Sequence, residues 1–197
     1  MLCDHTFDGL PLRTGDILCL RDGTDRSLYG QMWKAIGALV PGEVDHCVLY
    51  VGPEGRFVEA NIYGVSVLVM PGGTWDAHAL VRQRILLDSI VGVAYPLAGR
   101  DLDAAAQDRI RIAVADYCLA QAAADKPFNF DFFDATKPDR TYCSQLIAEA
   151  YRREGIELDS NIGVPTARIF ARAVFPQELW NGCEHRRVGD GGARDST

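Results

Sequence analysis

The sequence predicts an α+β fold, with an antiparallel β-sheet in the first half packed against helices in the second. Three observations carry this. The apolar runs in the first half are short and bounded by glycine, proline and aspartate, as strands are. Those strands are mostly adjacent in sequence, which favours antiparallel pairing. In the second half the apolar residues recur with the period of helices.

Residues 16–20 (DILCL) follow the turn signal Thr14-Gly15 and read as a buried strand. Residues 27–40 read as a helix, because Leu28, Met32, Ile36, Leu39 and Val40 share one face and Pro41-Gly42 ends it. Residues 46–51 (HCVLYV) and 56–61 (RFVEAN) flank Gly52-Pro53-Glu54-Gly55, a hairpin signal. Residues 65–70 form a further strand between Gly64 and Pro71-Gly72-Gly73, and residues 79–86 another. Residues 103–124 read as a helix with Ile110, Val114, Tyr117, Cys118 and Gln121 on one stripe. An aromatic and acidic loop, 129–135, leads to a second helix, 141–154. Thr141 is its expected N-cap, and Gly155 lies just past its end. The first dozen residues are weakly patterned, so the body runs from about Leu12 to Val188. Residues 1–188 are expected to form one domain, and the Gly-rich polar tail 189–197 to be disordered.

Of the 197 residues 48% are hydrophobic and 24% charged, as in ordinary globular proteins. Twenty basic against 27 acidic side chains leave a net charge of −7. Nucleic-acid binding is not expected, because phosphate neutralisation needs a basic face. No apolar run approaches the ~20 residues that span a bilayer, so no stable membrane insertion is expected. The start, MLCDHTFDGL, lacks the basic and apolar regions of a secretory signal. The six cysteines include no CxxC pair, and Cys19, Cys47 and Cys118 sit in apolar runs. Reduced thiols and a cytoplasmic location are the expectation. No GxGxxG motif, phosphate loop or metal-ligand set appears, so no cofactor and no metal are expected.

The candidate chemistry begins at Cys143. It shares a helical face with Leu146, Ile147, Ala150 and Tyr151, yet lies in the first turn. A core cysteine would satisfy that pattern. A nucleophile would also, since the helix N-terminus lowers a thiol pKa. A nucleophilic cysteine needs a base and usually a group that orients the base. His46 opens an otherwise apolar strand. If the hairpin turn centres on Pro53-Glu54, paired residue numbers sum to 107. His46 then opposes Asn61 and Val48 opposes Glu59, so His46, Glu59 and Asn61 share one face. Glu59 lies diagonally from His46 at about 7–8 Å between backbones, within side-chain reach. Either Glu59 or Asn61 is placed to orient the imidazole.

The order GDILCL, VDHCVLYVG, FVEAN and, much later, TYCSQLIAEAY resembles the circularly permuted branch of the NlpC-type papain-like cysteine peptidases. The likeness is to YiiX/YebB-like hydrolases, relatives of lecithin–retinol acyltransferase, and covers about Leu12 to Tyr151. It implies a partly barrel-like antiparallel sheet on helices, with the His strand before the Cys helix. It places the nucleophile on Cys143, the base on His46 and the third polar residue on Glu59, with Gly15-Asp16 structural. Asp45 stands where the family often has Ser or Thr. Tyr142 is a candidate additional donor to substrate, and Asn61 lies on the same face.

The expected function is therefore a cysteine hydrolase of the peptidase or amidase type. It would cleave a peptide or small acyl-amide through a Cys-His-Glu triad and a thioester. A thiol acyltransferase would use the same triad with a different second substrate. A small-ligand-binding module on the same fold is a further alternative, although it has no need for the trio.

Overall fold

The computed structural model of the chain describes residues 1–21, 42–84, 88–132, 134–158 and 173–189, without the side chains of 81–83. The helix expected over 27–40 and the tail 190–197 lie outside the described residues. So does Trp33, one of the three tryptophans.

The chain runs β1 (Asp4–Phe7), β2 (Leu10–Arg13), β3 (Ile17–Arg21), β4 (His46–Gly52), β5 (Arg56–Asn61) and β6 (Gly64–Val69). Then come α1 (Ala77–Arg84), β7 (Ser89–Tyr95), α2 (Ala104–Ala123), α3 (Cys143–Arg152), α4 (Pro176–Gly182) and β8 (Glu184–Arg187). Six strands pair antiparallel in the order β6-β5-β4-β3-β7-β8, and β1 pairs with β2 separately. The sheet is open. Its edges are β6 and β8, and no pairing joins them among the described residues, so the partly barrel-like expectation is corrected.

Both faces of the sheet are buried, which explains why β4 is buried along its whole length. Cys19, Cys47, Leu49, Val58 and Ala60 pack on one face against Ile110, Val114, Leu146, Ile147 and Trp180. Leu18, Leu20, Val48, Tyr50 and Phe57 pack on the other against Phe7, Leu10, Leu12 and Leu80. Helices α2, α3 and α4 thus cover one face, and the β1–β2 hairpin with α1 covers the other.

The central hairpin pairs as predicted. Leu49 opposes Val58 and Tyr50 opposes Phe57, a sum of 107 in each case. A bulge at the turn then sets Gly52, in place of Val51, against Arg56. Gly55 in this turn has φ 65°, and a Cβ there would lie 1.9 Å from the Met70 carbonyl oxygen. Only glycine fits that approach.

Four expectations are corrected. The strand expected over 79–86 is a helix where it is described: Ala77–Arg84 is helical, started by Asp76 Oδ1 accepting the Ala79 N–H at 3.1 Å. Its buried positions Leu80 and Arg84 stand four apart, and an arginine on the inner face disguises the helical stripe. The weakly patterned start is the β1–β2 hairpin, turned at Asp8-Gly9, with Phe7, Leu10 and Leu12 buried. The Cys143 helix is capped by Tyr142, not Thr141. Thr141 is held in a bridge to Phe128: its N–H donates to Pro127 O, and its carbonyl accepts the Asn129 N–H. On α2 the inner stripe is Ile110, Arg111, Val114, Ala115 and Cys118, so Tyr117 and Gln121 turn partly outward. Helix α2 starts as predicted at Asp103, whose Oδ1 accepts the Ala106 N–H at 2.7 Å.

Candidate active site

Cys143 is the first residue of α3, and several buried polar bonds hold that helix end. Tyr142 Oη accepts the Val174 N–H at 2.9 Å, and Ser144 Oγ donates to Val174 O at 2.7 Å. Gln145 Nε2 donates to Ala135 O at 2.8 Å, while its Oε1 accepts from Asn129 Nδ2 at 3.2 Å. The apolar stripe Leu146, Ile147, Ala150 and Tyr151 is buried as predicted, and α3 packs on β4. That packing turns the thiol toward the start of β4.

The entry into β4 is fixed from α4. Gln177 Oε1 accepts the N–H groups of Glu43 and Val44 at 2.8 and 2.9 Å. Gln177→Ala is therefore expected to cost about 1–3 kcal/mol, because the buried Val44 N–H loses its acceptor. Urea unfolding with an unchanged slope would measure it.

At the start of β4 the geometry converges. The Cys143 thiol and the His46 imidazole lie beside each other, each shifting the other's proton affinity. His46 Nε2 lies 2.9 Å from Glu59 Oε2, which leaves Nδ1 as the ring nitrogen for the thiol. Asn61 Nδ2 donates to Glu59 Oε1 at 2.7 Å, so Asn61 meets Glu59 and Glu59 meets His46. Asn61 Oδ1 accepts the Tyr63 N–H at 2.8 Å, which fixes the amide. Tyr142 is buried with its ring 5.7 Å from that of Phe132, its oxygen engaged by Val174. Of the other histidines, His5 packs beside Phe7 and Tyr50, His185 stacks on Trp180, and His78 lies on α1.

Several neighbours are invisible in the sequence. The Cys47 thiol and backbone N–H both donate to Cys143 Sγ. Arg84 Nη2 lies 2.9 Å from Glu59 Oε2. Arg84 also grips Asp88 with two hydrogen bonds, Nη1 to Oδ1 at 2.8 Å and Nη2 to Oδ2 at 2.7 Å. Trp75 lies under the guanidinium at 5.1 Å, and its Nε1 donates to Asp88 Oδ1 at 2.9 Å. A basic residue after an apolar run gave no cue that it would be buried beside Glu59.

These contacts set the protonation states. The Cys47 hydrogen bonds, opposed by burial and helped by the charge of His46, hold the Cys143 thiol well below the usual cysteine range. His46 is pushed up to about 10: burial opposes this, and Cys143 and then Glu59 override it. Glu59 is lowered to about 2, because Arg84, His46 and Asn61 together outweigh its burial. Burial pushes the Cys19, Cys47, Cys118 and Cys183 thiols up. The set can hold a thiolate against an imidazolium, with a carboxylate behind the ring. Among the described residues no group of His, Cys, Asp or Glu side chains is arranged to hold a metal ion, and no helix is long and apolar enough to cross a membrane.

The chain was compared with known proteins. No curated protein and no solved structure matches it. A family model described as a permuted papain-like amidase enzyme, YaeF/YiiX, C92 family, matches residues 13–188. That span takes in the whole candidate site from β4 to α3. The chain belongs to this family of permuted papain-like amidases, and it is an enzyme of the cysteine peptidase and amidase type.

Proposed function

We propose that the protein hydrolyses an amide bond, in a peptide or a small acyl-amide, with Cys143 as nucleophile, His46 as acid–base and Glu59 as the group that orients His46. The observation that carries this reading is His46 held by Glu59 at 2.9 Å beside Cys143, whose thiol stands at a helix N-terminus. The His strand precedes the Cys helix in the chain, which is the permuted order. The family match over 13–188 supports residues 1–188 as one domain.

The chemistry follows from the placement. His46 shares the thiol proton, giving a thiolate and an imidazolium. The sulfur attacks the amide carbonyl carbon and forms a tetrahedral intermediate. The Cys143 N–H has no acceptor within its own helix and lies at the positive end of the dipole, where the oxyanion forms. Imidazolium protonates the leaving nitrogen as the C–N bond breaks, and a thioester remains. His46 then takes a proton from water, which attacks the thioester and releases a carboxylic acid and the free thiol. Glu59 holds the ring by accepting from Nε2. Tyr142 offers a substrate its hydroxyl proton, since its oxygen is already an acceptor.

All six cysteines are free, and Cys47 and Cys143 touch without a bond between them. A reducing compartment such as the cytoplasm suits that pair.

Alkylation at pH 6 followed by peptide mapping tests the proposal. Cys143 is expected to label first, although it is only 8% exposed, because burial keeps four other thiols protonated. Labelling confined to half-buried Cys3 would remove Cys143 as the nucleophile. Cys183 is buried as well.

A further inference from the structure

We propose that Arg84 is a positioning residue of this site, its buried guanidinium clamped by Asp88 so that it holds Glu59 as an ionised carboxylate against His46. The inference rests on the reading of Cys143 as nucleophile. It starts from one atom: Glu59 Oε2 lies 2.9 Å from His46 Nε2 and 2.9 Å from Arg84 Nη2. The other oxygen accepts from Asn61 Nδ2 at 2.7 Å. Three groups thus converge on two oxygens, an arrangement that suits an ionised carboxylate.

The residues form an alternating line: Cys143 thiolate, His46 imidazolium, Glu59 carboxylate, Arg84 guanidinium, Asp88 carboxylate. Arg84 and Glu59 are fully out of water. A buried ion chain of this kind stabilises a fold no better than well-packed apolar side chains. Its use is to set charge. The charged and titratable groups around Glu59 among the described residues are His46 and Cys47 from β4, Arg84 from α1, Asp88 after it and Cys143 from α3. Without Arg84, the buried Glu59 loses the largest of the charges that keep it ionised and takes a proton more readily. A protonated Glu59 no longer supports the imidazolium, so the thiolate forms only at higher pH. The Arg84 charge is the largest of the effects that lower Glu59 against its burial. Asp88 fixes the fork by two hydrogen bonds, and Trp75 supports its face, so the charge is held where Glu59 needs it.

The test is the pH dependence of Cys143 alkylation by iodoacetamide, between pH 4 and 9, on the full chain. Arg84→Gln is expected to move the midpoint up by at least one pH unit. Labelling at pH 6 then falls about tenfold, while labelling at pH 9 stays near wild type. Arg84→Lys keeps the charge and is expected to recover most of the shift. An Arg84→Gln curve that overlays wild type, or one lowered equally at every pH, overturns the proposal, the latter because a merely structural role would act that way. If Arg84→Gln shows no cooperative thermal transition, Asp88→Asn decides. Loosening the clamp is expected to raise the midpoint by about half a pH unit or more, and a midpoint at or below wild type overturns the proposal. Wild-type Cys143 that fails to label at pH 6 defeats the nucleophile assignment instead, so the two failures are distinct.

Discussion

Cys143→Ala is expected to lower amide hydrolysis by on the order of 10⁵–10⁶-fold, the loss seen when a nucleophile is removed from a site that works as a unit. The Cys143 sulfur forms the covalent intermediate, and no described neighbour replaces it well. Cys47 touches Cys143, but burial and the adjacent sulfur hold its thiol protonated, so it is a poor replacement nucleophile. The fold should persist, since the change removes one sulfur from the first turn of α3 while Leu146, Ile147, Ala150 and Tyr151 keep their packing. The check is twofold. Intact-mass spectrometry with an acyl-donor probe should show an adduct on wild type and none on the variant, with an unchanged melting profile. An adduct of equal yield on Cys143→Ala would place the nucleophile elsewhere.

Glu59→Gln is expected to lower kcat by about 10²–10⁴-fold with a smaller change in KM, because an orienting carboxylate acts on the transition state more than on binding. The pH profile carries the sharper signature. His46 is held up at about 10 partly by Glu59, so the wild-type imidazolium persists through neutral pH and is lost as pH approaches 10. Replacing the carboxylate with an amide removes a negative charge from behind the ring. The imidazolium then loses its proton at lower pH, and the alkaline limb of kcat moves downward. The active window narrows from its alkaline side. Unchanged kinetics in Glu59→Gln, alongside a damaged Asn61→Ala protein, would shift the orienting role to Asn61. The contacts favour Glu59, since it is Glu59 that lies 2.9 Å from His46 Nε2.

What the sequence alone determined was local. The pairing of β4 with β5 was legible because the turn at Gly52-Pro53-Glu54-Gly55 sets the register and period-two alternation sets the face. From that came the meeting of His46 with Glu59. The place of Cys143 at a helix start was legible because polar turn residues precede an apolar stripe of helical spacing. The tertiary structure alone decided which distant groups surround that pair. Strand β7 sits in the middle of the sheet beside β3, roughly seventy positions away in the chain, and carries Gly92 in its interior. That glycine is explained by β8 and α4, whose Arg186 carbonyl oxygen and Trp180 ring would lie 2.0 and 2.8 Å from a Cβ there. The same holds for charge. Nothing in the sequence marks Arg84 for burial, since arginine is usually solvated, and α1 folding over the sheet brings it onto Glu59. Cys47 read as a core residue, which it is, but α3 docking on β4 also makes it a hydrogen-bond donor to Cys143. Periodicity reports which face of an element is buried. It carries no information about which buried group on another element lies opposite, and that pairing sets the charge states of this site.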